Sequence, residues 1–452
     1  MRRLSLTTAI LAVAAALASP AVAKEPAPKL ADHAGIHVVG VERLSPRLLD
    51  VTVATKALDN EEHVRVLLPK NYARESRRYP VLYLLHGGVD DYRSWTDKGD
   101  AEKITASSPL IVVMPEAGDG GWYADWDNYG AGGTPMWETF HIDQIVAWTD
   151  RNLRTVARRE GRALAGLSMG GLGTMSYASR HPDLFVSAAS FSGAVDTNHL
   201  GARVLIEDVS GPAVGPEKSV YGLRAMNEIN WRGHNPWDLA ANLRGMVLGI
   251  YGGNGRPHEG QSGFPLDPIE YATHEMSVSL HEKLWELDIP HKWVTGRGQH
   301  QWGDWQAYLR TWLPTMMSTF AHPPARPNAF AFTAAEDAYD IHGWNVRVLR
   351  AAPEFSTFRA SANEFSITGS GDAIVTTPRR YRPGAVQRVW MAPENAKCAA
   401  VSTRADRSGR LTFKVPLGPA NADQQFTAQS QARGRSVFTA TTYLTRPGSL
   451  CM

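Results

Sequence analysis

The sequence predicts an α/β chain: a doubly wound, mostly parallel sheet with helices on both faces, followed by a smaller all-β, sandwich-like domain. Three observations predict it. From about residue 35 to 320, short apolar or β-branched runs alternate with stretches of helical period. Some of those runs are continuously apolar and close on glycines, as buried parallel strands do. Beyond the Pro-rich stretch Ala321–Phe330, "AHPPARPNAF", the alternation with helices stops, and only two of the fourteen tryptophans remain.

The elements follow in order. "IHVVGVERL", "LLDVTVATKAL" and "HVRVLLP" alternate as early strands. "YPVLYLLHGG" and "LIVVMPEAG" are buried strands, and "WETFHIDQIVAWTDRNL" has helical spacing. "RALAGLSMGG" is a strand running into a turn, with a helical stretch after it. "LFVSAASFSGAVD" and "GMVLGIYGGNG" are further strands, "YATHEMSVSLHEKLWEL" a helix, and "HKWVTG" the last strand. After the linker, "WNVRVLRA", "NEFSITGSG", "AIVTTP", "RLTFKVPLG" and "SVFTATTYLT" are short strands separated by turn residues.

The first residues are set apart. Arg2 and Arg3 precede an apolar run, and Ala21-Val22-Ala23 has the small-residue pattern of a cleavage site. The expected organisation is a signal peptide over 1–23, a catalytic α/β domain over 24–320, a linker over 321–330 and a β domain over 331–452. The chain is then expected outside the cell, with no membrane-spanning segment after cleavage. Removing Arg2 and Arg3 takes the formal charge from +2 to about zero, which argues against nucleic acid as a partner. In an oxidising compartment Cys398 and Cys451, the only two cysteines, are expected to pair.

The chemistry centres on Gly166-Leu167-Ser168-Met169-Gly170, a G-x-S-x-G pattern between a strand and a helix. Small residues on both sides let a serine sit on a sharp turn with its hydroxyl exposed, so Ser168 is the candidate nucleophile. A base is expected on the loop after the last strand. His300 in "VTGRGQHQW" stands there; His291 precedes that strand, His322 lies in the linker and His342 in the next domain. The acid is expected after the strand ending near Gly253, which leaves Glu259, Asp267, Glu270 and Glu275 open. Two backbone donors are expected for an oxyanion: Met169 N–H and one from the His-Gly-Gly loop at residues 86–88.

Residues 60–315 resemble the "putative esterase" branch of α/β-hydrolases, within it most closely the mycolyltransferases. The resemblance rests on "VLYLLHGG" with "DDYRSW", "WYADW", "WETF", "AGLSMGG", "NPWDLAANLRGMVLGIYGGNG" and "GQHQWGDW", in that order. It implies an α/β-hydrolase fold, supports Ser168 and His300, puts the acid on Glu270 in "PIEYATHE", and maps the second oxyanion donor to Gly88. Trp302 matches a pocket tryptophan of the family. The mycolyltransferases hold trehalose partly through an Asp and a following Arg after the early strand. Here His86 stands at the Asp position and the Arg-bearing loop is shortened before Asp90 and Asp91, so ester chemistry carries over and transfer to trehalose does not.

The expected activity is hydrolysis of small-molecule, lipid or carbohydrate esters through a Ser168 acyl-enzyme. Transfer of the acyl group to a sugar or other alcohol, and a non-catalytic binding protein on the same fold, are the alternatives. No metal or organic cofactor is expected. His86, Trp122, Trp126, Trp302 and Trp305 are candidate substrate-pocket residues, whereas Trp137, Trp148 and Trp285 on helical faces are expected in the core. For the β domain two readings stay open: contact with carbohydrate or cell wall, and bracing of the enzyme.

Overall fold

The computed structural model describes residues 26–128, 135–209, 220–260 and 264–445. The expected signal peptide at 1–23 and Cys451 of the expected Cys398–Cys451 pair lie outside the described residues.

Nine strands form the first sheet: β1 (His37–Arg43), β2 (Leu48–Ala54), β3 (Glu62–Leu67), β4 (Val81–Leu85), β5 (Ile111–Pro115), β6 (Arg162–Leu167), β7 (Ser187–Phe191), β8 (Val247–Gly253) and β9 (His291–Gly296). Their order is β1-β2-β3-β5-β4-β6-β7-β8-β9. The first three pair antiparallel, β3 is antiparallel to β5, and every later pairing is parallel. This crossover order, with its switch between β5 and β4, is that of an α/β-hydrolase sheet.

Both faces are covered, which explains the continuous apolar runs. Along β4, Val81, Tyr83 and Leu85 enter one core with Trp148, Leu172, Met175 and Leu280. Leu82 and Leu84 enter the other with Trp95, Leu309, Trp312 and Met316. A strand's period of two thus feeds two separate cores. The helices Val146–Asn152, Met169–Arg180 and Pro268–Glu286 lie on the first side and Trp302–Ala321 on the second.

Trp137 and Trp148 are buried as expected, but Trp285 is 75% exposed. The inward face of its helix carries Thr273, Met276, Leu280 and Leu284. Trp285 follows Leu284 by one residue, about 100° around the helix, and so turns outward.

The C-terminal part has two antiparallel sheets. One holds β10 (Phe330–Ala334), β13 (Ser356–Ala360), β14 (Glu364–Gly369), β16 (Val386–Pro393), β17 (Ala399–Arg404) and β19 (Phe438–Tyr443). The other holds β11 (Ala338–Ile341), β12 (Trp344–Leu349), β15 (Asp372–Thr376) and β18 (Thr412–Pro416). They share one core, with Phe358 and Phe365 from the larger sheet against Trp344, Val375 and Phe413 from the smaller. Its strands alternate buried and accessible residues, as in β12 and β13.

Arg180 joins the two parts. Its guanidinium bonds Glu138 at 2.8 Å and the Gly233 carbonyl at 2.7 Å, and also reaches Glu336 of the C-terminal part. Asn242 exchanges bonds of 2.8 and 2.9 Å with the Thr333 backbone. Arg180→Met removes the cation between two carboxylates and is expected to cost about 3 kcal/mol. Urea unfolding should show the lower midpoint; an unchanged midpoint would mean that the cluster adds nothing to stability.

Candidate active site

β6 ends at Leu167, and the helix Met169–Arg180 begins two residues on. Ser168 makes the turn between them with φ 52° and ψ −118°. A non-glycine residue rarely adopts such a backbone, and it is held here from both sides. The Ser168 N–H donates to the Phe191 carbonyl at 2.9 Å, and the Ser168 carbonyl accepts from Gly171 N–H at 2.9 Å and Leu172 N–H at 3.1 Å.

The flanking glycines are required by close approach. A Cβ on Gly166 would stand 2.3 Å from the Gly170 carbonyl oxygen. A Cβ on Gly170 would stand 2.4 Å from the His86 oxygen and 2.7 Å from the Leu85 oxygen. The helix start is thus pressed against the end of β4. Gly87 lies beside the serine as well, its Cβ position 3.4 Å from the Ser168 Cβ. Gly88, the donor implied by the resemblance, follows it in the same turn. Met169 N–H, at the first helical position, has no intrahelical acceptor.

The last-strand loop brings His300 to the serine. Its Nε2 accepts from the Ser168 Oγ at 2.9 Å, and its Nδ1 donates to Glu270 Oε2 at 2.7 Å. The tautomer follows from the network: a proton on Nδ1 leaves Nε2 able to accept. The Trp305 ring stands edge-on to His300 with centroids 4.9 Å apart and fixes its plane.

Among the acids open in the sequence, Glu270 is the one brought to the His300 ring. It is fully buried. Besides His300 it accepts from Gly253 N–H at 2.5 Å and from the Ser192 hydroxyl at 2.8 Å, both on Oε1. Asp267 has another task. Its Oδ1 caps the helix Pro268–Glu286 by accepting from Ile269 and Glu270 N–H, while its Oδ2 accepts from the His300 N–H at 2.9 Å. Asp304 accepts from Gln299 N–H at 3.1 Å and holds the loop before His300.

A family model described as "Putative esterase" matches residues 55–316, more than half of the chain. The chain belongs to this family. Esterase Rv1288 of Mycobacterium tuberculosis is 42% identical over 164 residues, 36% of this chain and 36% of that protein. The chain thus spans about a third of that relative's length. The diacylglycerol acyltransferase/mycolyltransferase Ag85B of Mycobacterium leprae is 30% identical over 263 residues, 54% of this chain and 77% of that protein. A solved structure of Mycobacterium tuberculosis MPT51 is 20% identical, covers 61% of this chain and 100% of that one, and superposes with a TM-score of 0.49.

Of the expected pocket residues of this esterase-family member, His86 and Trp122 are buried, while Trp126 and Trp302 are partly exposed. His86 is 1% exposed and faces no open space. Its Nε2 accepts from Ala117 N–H at 2.9 Å and its Nδ1 donates to the Gly87 carbonyl at 2.8 Å, so the ring braces the loop beside the serine. Trp122 is buried in the core, in a turn of positive φ. Trp126 is partly buried and donates to the Gly121 carbonyl at 3.1 Å. Trp302 is partly exposed and stands edge-on between Trp95 and Trp305, 5.3 Å from each centroid.

Ser192 is the residue that sequence reasoning missed. It ends β7 as Ser168 ends β6, also with positive φ at 50°, and takes Trp305 Nε1–H at 3.2 Å while donating to Glu270. Its only sequence signal is a Ser-Gly at a strand end.

Gly170→Ala is expected to push the helix start from β4 and to cost about 1–3 kcal/mol. A urea midpoint and an ester assay on the same preparation check it; wild-type values in both would show that the turn tolerates a methyl group.

Proposed function

We propose that the chain is an exported serine esterase acting through Ser168, His300 and Glu270. The observation that carries the reading is the continuous hydrogen-bond chain Ser168–His300–Glu270, with bonds of 2.9 and 2.7 Å. Membership of the esterase family supports the same class of reaction.

In this reading the Ser168 oxygen attacks the ester carbonyl carbon while His300 Nε2 takes the hydroxyl proton. Glu270 orients the ring and stabilises its cation. The oxyanion of the tetrahedral intermediate faces Met169 N–H and the Gly88 N–H, each worth a few kcal/mol. The intermediate collapses as the leaving alcohol receives the proton from His300, leaving an acyl-enzyme. Water, deprotonated by the same nitrogen, attacks the acyl carbon and frees the acid.

Exposed apolar residues on segments that follow the strand ends support an apolar acyl group. Val89 follows β4, Leu223 and Met226 follow β7, and Phe264, Leu266 and Tyr271 follow β8; all are exposed. The segments that carry them follow the carboxyl ends of the strands, the edge on which Ser168 stands.

Transfer of the acyl group to another alcohol is the second reading. It is favoured by the likeness to a protein named an acyltransferase/mycolyltransferase. The acyl-enzyme is common to both readings and only the acceptor differs. Trehalose is a poor candidate acceptor, because His86 at the expected sugar-binding position is buried among the Gly87 and Ala117 backbone groups and the Glu116 carboxylate.

Hydrolysis of nitrophenyl esters is expected to rise from acetyl to longer acyl chains. Ser168→Ala is expected to lower kcat by roughly 10⁴-fold or more, and Glu270→Gln by up to roughly 10⁴-fold. Activity that survives Ser168→Ala would refute the mechanism. An acyl-sugar product outcompeting hydrolysis when trehalose is added would favour transfer.

Ser192→Ala removes a donor to Glu270 and leaves Trp305 Nε1–H without its acceptor, at a cost of about 1–3 kcal/mol. The expected loss falls on kcat with KM unchanged; a change in KM alone would give Ser192 a role in binding substrate instead.

A further inference from the structure

Two cavities adjoin, one at the seam between the first part and the C-terminal sheets and one within the C-terminal part beside it. One of about 250 Å³ is lined by Arg159, Arg244 and Arg359 with His342. The next, of about 260 Å³, shares Pro327, Phe330 and His342 with it and adds Arg326 and Arg380. Five arginines and a histidine line the pair, and no aspartate or glutamate does. In a chain whose formal charge is only +2, such one-sided lining marks a region of concentrated positive potential.

Two of these arginines have unused capacity. Arg159 is 3% exposed; its Nε donates to the Pro182 carbonyl at 3.0 Å and its Nη2 to the Gly245 carbonyl at 2.8 Å. Its buried Nη1 has no hydrogen-bond partner among the described residues. A buried guanidinium N–H without an acceptor is costly and calls for an anion or a carbonyl. Arg359, on β13 of the C-terminal part, is accessible at the cavity and forms no ion pair with the described residues.

The others are partly engaged. Arg244 donates to the Asp288 and Leu287 carbonyls. Arg326 pairs with Glu160 at 2.8 Å, and Arg380 donates to the Ala362 carbonyl while lying over the Trp344 ring. Asp183 accepts from the His342 N–H at 3.0 Å. Burial holds the His342 ring below its ordinary pKa; Asp183 opposes this, and Arg159 and Arg326 add to it.

The pocket is separate from the proposed catalytic site. Arg159, Pro182 and Arg244 precede β6, β7 and β8, whereas Ser168, Ser192 and Gly253 stand at or just past their ends. A strand of six residues spans about 20 Å, so the two sites lie at opposite edges of the sheet. The seam is built by both parts of the chain, with the Asn242–Thr333 bonds in its wall.

We propose that this seam pocket binds a small ligand bearing a phosphate or carboxylate group, held between Arg159 of the first part and Arg359 of the second. Guanidinium forks match both oxyanions, and an occupant would tie the two parts together.

Isothermal titration of the full chain with inorganic phosphate, glucuronate and glucose tests the proposal. Phosphate or glucuronate is expected to bind, with the responding anion naming the group, and glucose is not. Arg359→Ser, at an exposed position, and Arg159→Gln should each weaken binding at least tenfold. Arg359→Ser should leave nitrophenyl ester hydrolysis unchanged, because the pocket is remote from Ser168. Binding of neither anion would overturn the proposal, as would equal binding of glucose or binding that survives Arg359→Ser at full strength.

Discussion

Glu270 is a carboxylate wholly removed from water, and the arrangement around Ser168 depends on how it is held. Taking a carboxylate out of solvent costs several kcal/mol unless hydrogen bonds replace the lost water. Three donors replace it here: a backbone N–H at the end of β8, a hydroxyl at the end of β7, and His300. The first two fix the carboxylate relative to the sheet, so the third fixes the imidazole relative to the sheet as well. Ser168 ends the neighbouring strand β6. The alignment of serine, histidine and glutamate is therefore inherited from the parallel register of β6, β7 and β8.

That register rests on the two cores. Each parallel strand sends alternate residues to opposite faces, and the helices on both sides clamp the sheet. The clamp meets the proposed nucleophile at Gly166 and Gly170, where helix and strand ends touch backbone to backbone. Side chains there would force the layers apart. The positive φ of Ser168 is tolerated because hydrogen bonds on both sides of the residue leave it no other course.

Much of the first sheet was legible, since fully buried parallel strands read as continuous apolar runs such as "VLYLL" and "IVVMP". The meeting of Ser168 with His300 was legible, because a G-x-S-x-G turn and a histidine after the last strand stand at the same edge of such a sheet. The acid was not separable by residue order alone. Glu270 and Asp267 lie three residues apart at one helix start, and only the fold assigns one to the imidazole and the other to the cap. The burial of His86 and Trp122 was not legible, because a polar or aromatic residue beside a glycine turn looks the same whether it faces solvent or braces the turn. In the C-terminal part β17 left no burial pattern to read: five of its six residues are exposed. Ser192 had no signal stronger than a serine at a strand end.

The C-terminal sheets join the first part through residues such as Asp183, Asn242 and Glu160, which lie before β7, β8 and β6. A parallel sheet has two unlike edges, and here they carry different burdens. The edge where strands finish carries Ser168, and the edge where they begin carries much of the attachment, with a further bond from Gln424 to Asn227 on the helix Arg224–Gly233. The bonds to Asp183, Asn242 and Glu160 thus stand about one strand length from Ser168.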